Sequence, residues 1–167
     1  YQSEELNAYP LNQNSAPIPI MEKGAIDPVI FKQKELWWMF CTFKETGSNL
    51  NLFAFYSDSK FGPWQEHTLN PIVSDARKAR MAGGIISFEG KLYRPAQINH
   101  LTYGGGIQMM EIKKLCPHEF EEEKAFELSP KHFSKYNKGM HTISIQDEYI
   151  LIDAKNNKFV STEFFRR

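Results

Sequence analysis

A few residues in this chain are of the types that hold or transform a polar ligand, and they stand beside apolar runs. Asp27 precedes Pro28 at the start of "IDPVIF", and His141 lies in "GMHTISI". Arg80 and Arg94 bracket "MAGGIISFEGKLY", and Gln97 follows Arg94 by three positions. A carboxylate and an imidazole supply general acid and base chemistry. A guanidinium makes forked, charge-assisted hydrogen bonds to carboxylates, phosphates or vicinal hydroxyls.

Each of these residues also has a purely structural reading. Asp27 can cap a strand or open an Asp-Pro turn. Arg80 and Arg94 can form ion pairs with Asp75 or Glu111. His141 can be a satisfied core histidine. The odd spacing from Arg94 to Gln97 puts them on opposite strand faces unless a bulge intervenes, and Pro95 makes a bulge plausible. His67 and Asn70 fall in a connecting loop, where structural capping is the expected role.

The elements that must position these residues are strands. "PVIFKQ", "ELWWMFCTF" and "LNLFAFYSD" are rich in Val, Ile, Phe, Trp and Tyr, with turn-forming "KQKE" and "KETGSN" between them. "GGIISFEGKLYRPAQ" predicts two strands turning at Glu89-Gly90, and "GGGIQMMEIKKL" and "FEEEKAFEL" predict two more. "HTISIQDEYILIDAKNNKFVSTEF" predicts two or three, turning at Gln146-Asp147 and Asn156-Asn157. Helix is expected only around residues 129–136 and as one turn at "DARKA". The run "EFEEEKAFE" reads as a solvated outer strand. Residues 1–25 carry three prolines and are expected to be irregular.

The strands repeat. Trp37, Tyr93 and Tyr149 are 56 residues apart, twice over, and each follows an apolar strand and a tight polar turn. A period near 50 with about four strands per unit is the pattern of a β-propeller blade. The expected fold is therefore all-β: a partial propeller of about two and a half blades, at 26–70, 80–128 and 139–167. In that register the innermost strands carry Asp27 and Pro28, then Arg80 to Gly84, then Gly139 to Thr142. An acid, a base and a histidine occupy equivalent places facing one axis, with small residues beside two of them.

Bulk properties exclude several classes. Lys+Arg and Asp+Glu are both 20, which removes the electrostatic case for general nucleic-acid or anionic-membrane binding. No apolar run reaches the ~18 residues of a membrane helix. Cys41 and Cys116 match no metal spacing, and His100, His118 and His132 are scattered. No metal or cofactor is expected. Free thiols would suit a reducing, cytoplasmic setting. The start "YQSEELNAYPL" has no features of a signal peptide, which suggests a piece of a longer protein.

"IDPVIFKQKELWWMF", "GPWQEHTLNPIVSDARKARMAGGIISFEGKLYRPAQ", "YGGGI" and "GMHTISIQDEYILID" together resemble the propeller domain of glucosamine inositolphosphorylceramide transferases. The same domain occurs in bacterial proteins with formyltransferase-like or glycosyltransferase-like parts. The matching residues are Trp64, His67, Asn70, Pro71, Arg80, Ala82, Gly83, Arg94, Pro95, Gln97, Tyr103, Gly104, Gly139, His141 and Thr142. The resemblance covers roughly residues 25–155, and Met81 departs from it where the family tends to have Pro. "YGGGI" lacks the Lys-Ser/Thr of a phosphate loop.

The resemblance implies a carbohydrate-recognising domain of five-bladed type in glycan or glycolipid assembly, with catalysis elsewhere in the parent chain. Its ligand would be a sugar or sugar-phosphate in an axial polar channel. Arg80, Arg94, Gln97, Asn70 and Tyr103 would bind it, with Asp27 and His141 in catalytic places. A glycosidase-like enzyme is the main alternative, but glycoside cleavage usually needs two carboxyl groups and only Asp27 is visible. A structural interaction propeller is the third.

Overall fold

The computed structural model describes residues 21–146 and 148–157. The expected irregularity of residues 1–20, the part of the 146–147 turn at residue 147 and any strand after residue 157 lie outside the described residues.

The chain is all-β, built as successive antiparallel meanders. The first sheet takes β1 (Ala25–Gln33), β2 (Leu36–Phe43), β3 (Asn51–Ser57) and β4 (Gln65–Glu66) in sequence order, and β5 (Val73–Ser74) adds to β3. The second sheet takes β6 (Ile86–Phe88), β7 (Lys91–Gln97), β8 (Ile107–Cys116) and β9 (Glu119–Leu128), again in order. A hairpin of β10 (Ile143–Gln146) and β11 (Tyr149–Ile152) follows.

The turns form where the sequence carries turn chemistry. Phe88 pairs with Lys91 across Glu89 (φ 48°) and Gly90 (φ 73°), a two-residue loop with both central residues left-handed. That backbone twist matches the twist of the flanking strands, and glycine relieves half of its cost.

No α-helix occurs among the described residues, and none of their helices is long and apolar enough to cross a membrane. The helix expected over 129–136 shrinks to a 3₁₀ turn, Pro130–His132, capped by Ser129 Oγ, and Phe133 is already extended. Phe133 and Tyr136 are both exposed, so the segment has no apolar face to hold a longer helix in place. "DARKA" does make its single turn, with Ala79 N donating to Asp75 O at 2.8 Å.

The sheets stack through apolar layers. Trp38, Phe40, Leu52 and Ala54 of the first sheet meet Ala79, Met81 and Ile112, and the Phe120 ring lies edge-on to Phe40 at 5.9 Å. On its other side the second sheet packs Ile107 and Met109 against Met140 and Ile143. Strand β2 is buried from Trp38 to Phe43 without alternation, because Met39, Cys41 and Phe43 belong to a further apolar cluster on the opposite face.

Backbone hydrogen bonds join the successive sheets. Arg80–Ala82 runs beside β7, with Gln97 N on Arg80 O at 2.8 Å and Ala82 N on Pro95 O at 2.9 Å. Ile143 N then donates to Ala82 O at 2.8 Å. Gly83 (φ 141°) makes this docking possible, since a Cβ there would overlap the carbonyl oxygen of Ile143.

Candidate functional site

The chemistry-bearing residues stand near the starts of three successive strand units. Strand β1 steps from Ile26↔Thr42 to Val29↔Phe40, which inserts one extra residue at Asp27-Pro28. Asp27 takes φ 48°, a conformation that an aspartate tolerates better than most residues, and one that often marks functional positions. The second inner strand is interrupted at Gly83 and Gly84. In the third, hairpin register places Asp153 beside Thr142, with Asp153 N on Thr142 O at 3.3 Å.

Their side chains meet in a chain of contacts. Arg80 Nε donates to Asp27 Oδ2 at 2.7 Å, and its Nη1 donates to Asn49 Oδ1 at 3.0 Å. The guanidinium lies over the Tyr103 ring, 5.4 Å from its centroid. Tyr103 in turn lies 5.3 Å from the His141 ring. His141 Nδ1 is hydrogen-bonded to Asp153 Oδ2. Asp153 Oδ1 accepts from His141 N at 2.9 Å and Thr142 N at 2.6 Å. Partial burial raises the Asp153 pKa, but these hydrogen bonds outweigh burial and hold it below the ordinary carboxylate value.

A cleft of about 280 Å³ opens among these groups, lined by Asp27, Pro28, Gly83, Gln97, Tyr103 and His141 with their neighbours. Gln97 is fixed from behind: its Nε2 donates to Met81 O at 2.7 Å, and its Oε1 accepts from Asn99 Nδ2 at 3.1 Å. Asn99 Oδ1 accepts from Gly104 N at 2.9 Å, which anchors the loop carrying Tyr103. The result is a carboxylate, an aromatic ring and an oriented imidazole around a small space, with the Arg80 guanidinium behind the carboxylate. Such a set can stack a sugar ring, hydrogen-bond its hydroxyls and move a proton at the imidazole.

Five of the seven candidate residues thus come together: Asp27, Arg80, Gln97, Tyr103 and His141. Two do not. Arg94 is fully buried between the sheets, where Nε and Nη2 each donate to Glu122 at 2.8 Å and Nη2 also reaches Lys78 O at 2.7 Å. It is a packed ion pair with no face toward the cleft. Its partner is neither Asp75, which Arg77 holds, nor Glu111, which Lys91 and Lys113 hold. Glu122 lies in the acidic run expected to be a solvated strand, yet its side chain is only 4% exposed. No bulge separates Arg94 from Gln97: the β7–β8 register is continuous, so the two point to opposite faces, both of them buried.

Asn70 also lies away from the cleft. Its side chain spans one residue of β3, accepting from Ala54 N and donating to Ala54 O, both at 2.8 Å. His67 is buried beside it, with Nε2 2.8 Å from Cys116 O. Both cap backbone, as loop residues of their type are expected to do.

Sequence reasoning missed Asn49, Asn99 and Asp153. Asp153 had a usable signal. In a hairpin pairing Ile143 with Ile152, the residue before one and the residue after the other must be adjacent, which puts Asp153 next to Thr142 and His141. The two asparagines sit in loops, and nothing in their local sequence marks them.

Residues 5–153 match the family described as glucosamine inositolphosphorylceramide transferase 1, N-terminal. Glucosamine inositolphosphorylceramide transferase 1 of Oryza sativa subsp. japonica is 38% identical over 108 residues, and its counterpart from subsp. indica is 38% identical over the same length. That match covers 62% of this chain and 14% of each relative. No solved structure matches.

Proposed function

This chain belongs to the glucosamine inositolphosphorylceramide transferase 1 N-terminal family, and from that premise we propose that it is a carbohydrate-recognising part of a glycolipid-assembling protein. The observation that carries this reading is the convergence of Asp27, Gln97, Tyr103 and His141, from three successive strand units, on one cleft, with Arg80 paired to Asp27. The ligand is a sugar or sugar-phosphate. The two relatives are named as transferases, and this chain spans a small fraction of their length. We therefore assign bond making to the rest of such a protein and recognition to this part.

The same reading takes the stacked sheets as consecutive blades of a propeller, with the cleft at its axis. Two four-stranded meanders in sequence order, followed by a hairpin in the same relative place, support it. The polar lining of the cleft is unlike the apolar plug expected of a purely structural propeller.

A glycosidase-like role is less well supported. Asp153 supplies a second carboxyl group at the site, but cleavage needs one carboxyl held protonated to serve the leaving group. Asp153 is held ionised by three hydrogen bonds. Its geometry suits orienting His141.

The test is ligand-observed NMR with a panel of free monosaccharides, followed by titration of any that bind. Asp27→Ala and His141→Ala should each weaken binding about tenfold or more, the loss expected for one charge-assisted hydrogen bond. Asn70→Ala should leave the affinity of the folded protein unchanged. Wild-type affinity in both cleft variants would remove the cleft as the binding site.

A further inference from the structure

We propose that this cleft selects uncharged or cationic sugars and discriminates against phosphorylated ones; the inference rests on the carbohydrate reading above and narrows it. An arginine and a histidine in a sugar site invite the opposite conclusion. The contacts argue otherwise, because both basic groups already hold a carboxylate. Arg80 spends Nε on Asp27 at 2.7 Å, Nη1 on Asn49 at 3.0 Å and one face on Tyr103. His141 spends Nδ1 on Asp153.

Exposure runs in the same direction. The Asp27 side chain is 42% exposed and that of its partner Arg80 only 15%. What faces incoming solute is the acid. Asp153 is as open as His141, at 38% against 37%. Besides His141, the charged side chain among the described residues lining the cleft is Asp27, and Arg80 and Asp153 stand behind that lining. Lys155 stands nearby, but its Nζ donates to Tyr103 O at 3.2 Å and it does not line the cleft.

A phosphate group carries roughly −1.5 to −2 charges near neutral pH. To approach Arg80 it must come up beside Asp27, whose carboxylate holds the guanidinium and faces the cleft. A neutral sugar meets no such conflict. Asp27 Oδ1 makes no hydrogen bond among the described contacts and is free to accept from a hydroxyl or, more strongly, from an ammonium group.

The experiment compares glucose, glucosamine and glucose 6-phosphate as probes of one ring carrying three charges, by calorimetric or NMR titration of the purified protein. Glucosamine should bind at least as well as glucose, and glucose 6-phosphate about tenfold or more weaker than either. Asp27→Asn should reverse the order by releasing Arg80, raising affinity for the phosphorylated sugar. Tightest binding of glucose 6-phosphate by the wild type overturns the inference and leaves the carbohydrate reading standing. No binding of any probe sinks both. Should Asp27→Asn fail to fold, the wild-type ranking decides alone.

Discussion

Glu122→Gln tests the deepest polar feature of this fold. The substitution keeps the shape of the side chain and removes its charge. The Arg94 guanidinium would then be left fully buried with no counter-charge and only neutral acceptors such as Lys78 O. Breaking one side of a buried ion pair costs about 3–5 kcal/mol, because the remaining charge loses water without regaining a partner. Two charge-assisted bonds at roughly 1.5–3 kcal/mol each bracket the same figure. Domains commonly have only ~5–15 kcal/mol in total, so this one change removes a large share of it. For a chain of this size it corresponds to a melting point lower by roughly 6–20 °C. Urea unfolding followed by tryptophan fluorescence measures the change, since Trp38, one of the three tryptophans, is buried in the same inter-sheet layer. The double variant Arg94→Met, Glu122→Met should recover most of the loss, because it removes both charges and keeps the volume. A cost below about 0.5 kcal/mol for Glu122→Gln, within the range of an ordinary surface substitution, would refute the buried pair. The folded single variant should also keep its sugar affinity. Loss of binding without unfolding would return Arg94 to the list of ligand contacts.

Gly83→Ala should destabilise the protein by at least about 2 kcal/mol, since the new Cβ overlaps the Ile143 carbonyl and the backbone sits at φ 141°. Amide exchange should localise the damage to Ile143, whose N–H bonds Ala82 O; unchanged protection there would refute the docking. The Cys41 thiol, pushed up to about 12 by burial, should stay inert to a thiol reagent at mildly alkaline pH until the chain unfolds. Two thiols reacting in the native state would contradict its burial. Asp153 has a lowered pKa when folded, so its ionised form stabilises the native state above the unfolded value of about 3.9 and that gain is lost as pH falls through the lower folded value. Asp153→Ala should thus be less stable than wild type at neutral pH, with the gap closing in acid; a gap that ignores pH would mean the carboxylate's charge plays no part.

Legibility from sequence differed by feature for physical reasons. Strands and turns such as Glu89-Gly90 were readable because backbone preferences and period-two burial act over a few residues. That Asp27, Arg80 and His141 lie near one another was readable only through the 56-residue repeat, which brings the starts of successive units together although the three are a few positions out of strict register. Arg94 misled. An arginine beside a strand looks the same in sequence whether it faces a cleft or a buried glutamate 28 positions on. Glu122 misled in the same way, because nothing in "EFEEEK" shows which of four acids turns inward.

The amino-acid sequence by itself settled the all-β class, the order of the strands and the residue types gathered at the inner strands, all of which follow from local preference and repetition. Tertiary structure decided which charges face each other. It drew Asp27 onto Arg80 through a bulge and set Asp153 behind His141. It also sealed Arg94 against Glu122 between the sheets. Ion pairing depends on distance and desolvation in space, and neither quantity is written in the spacing of residues along a chain.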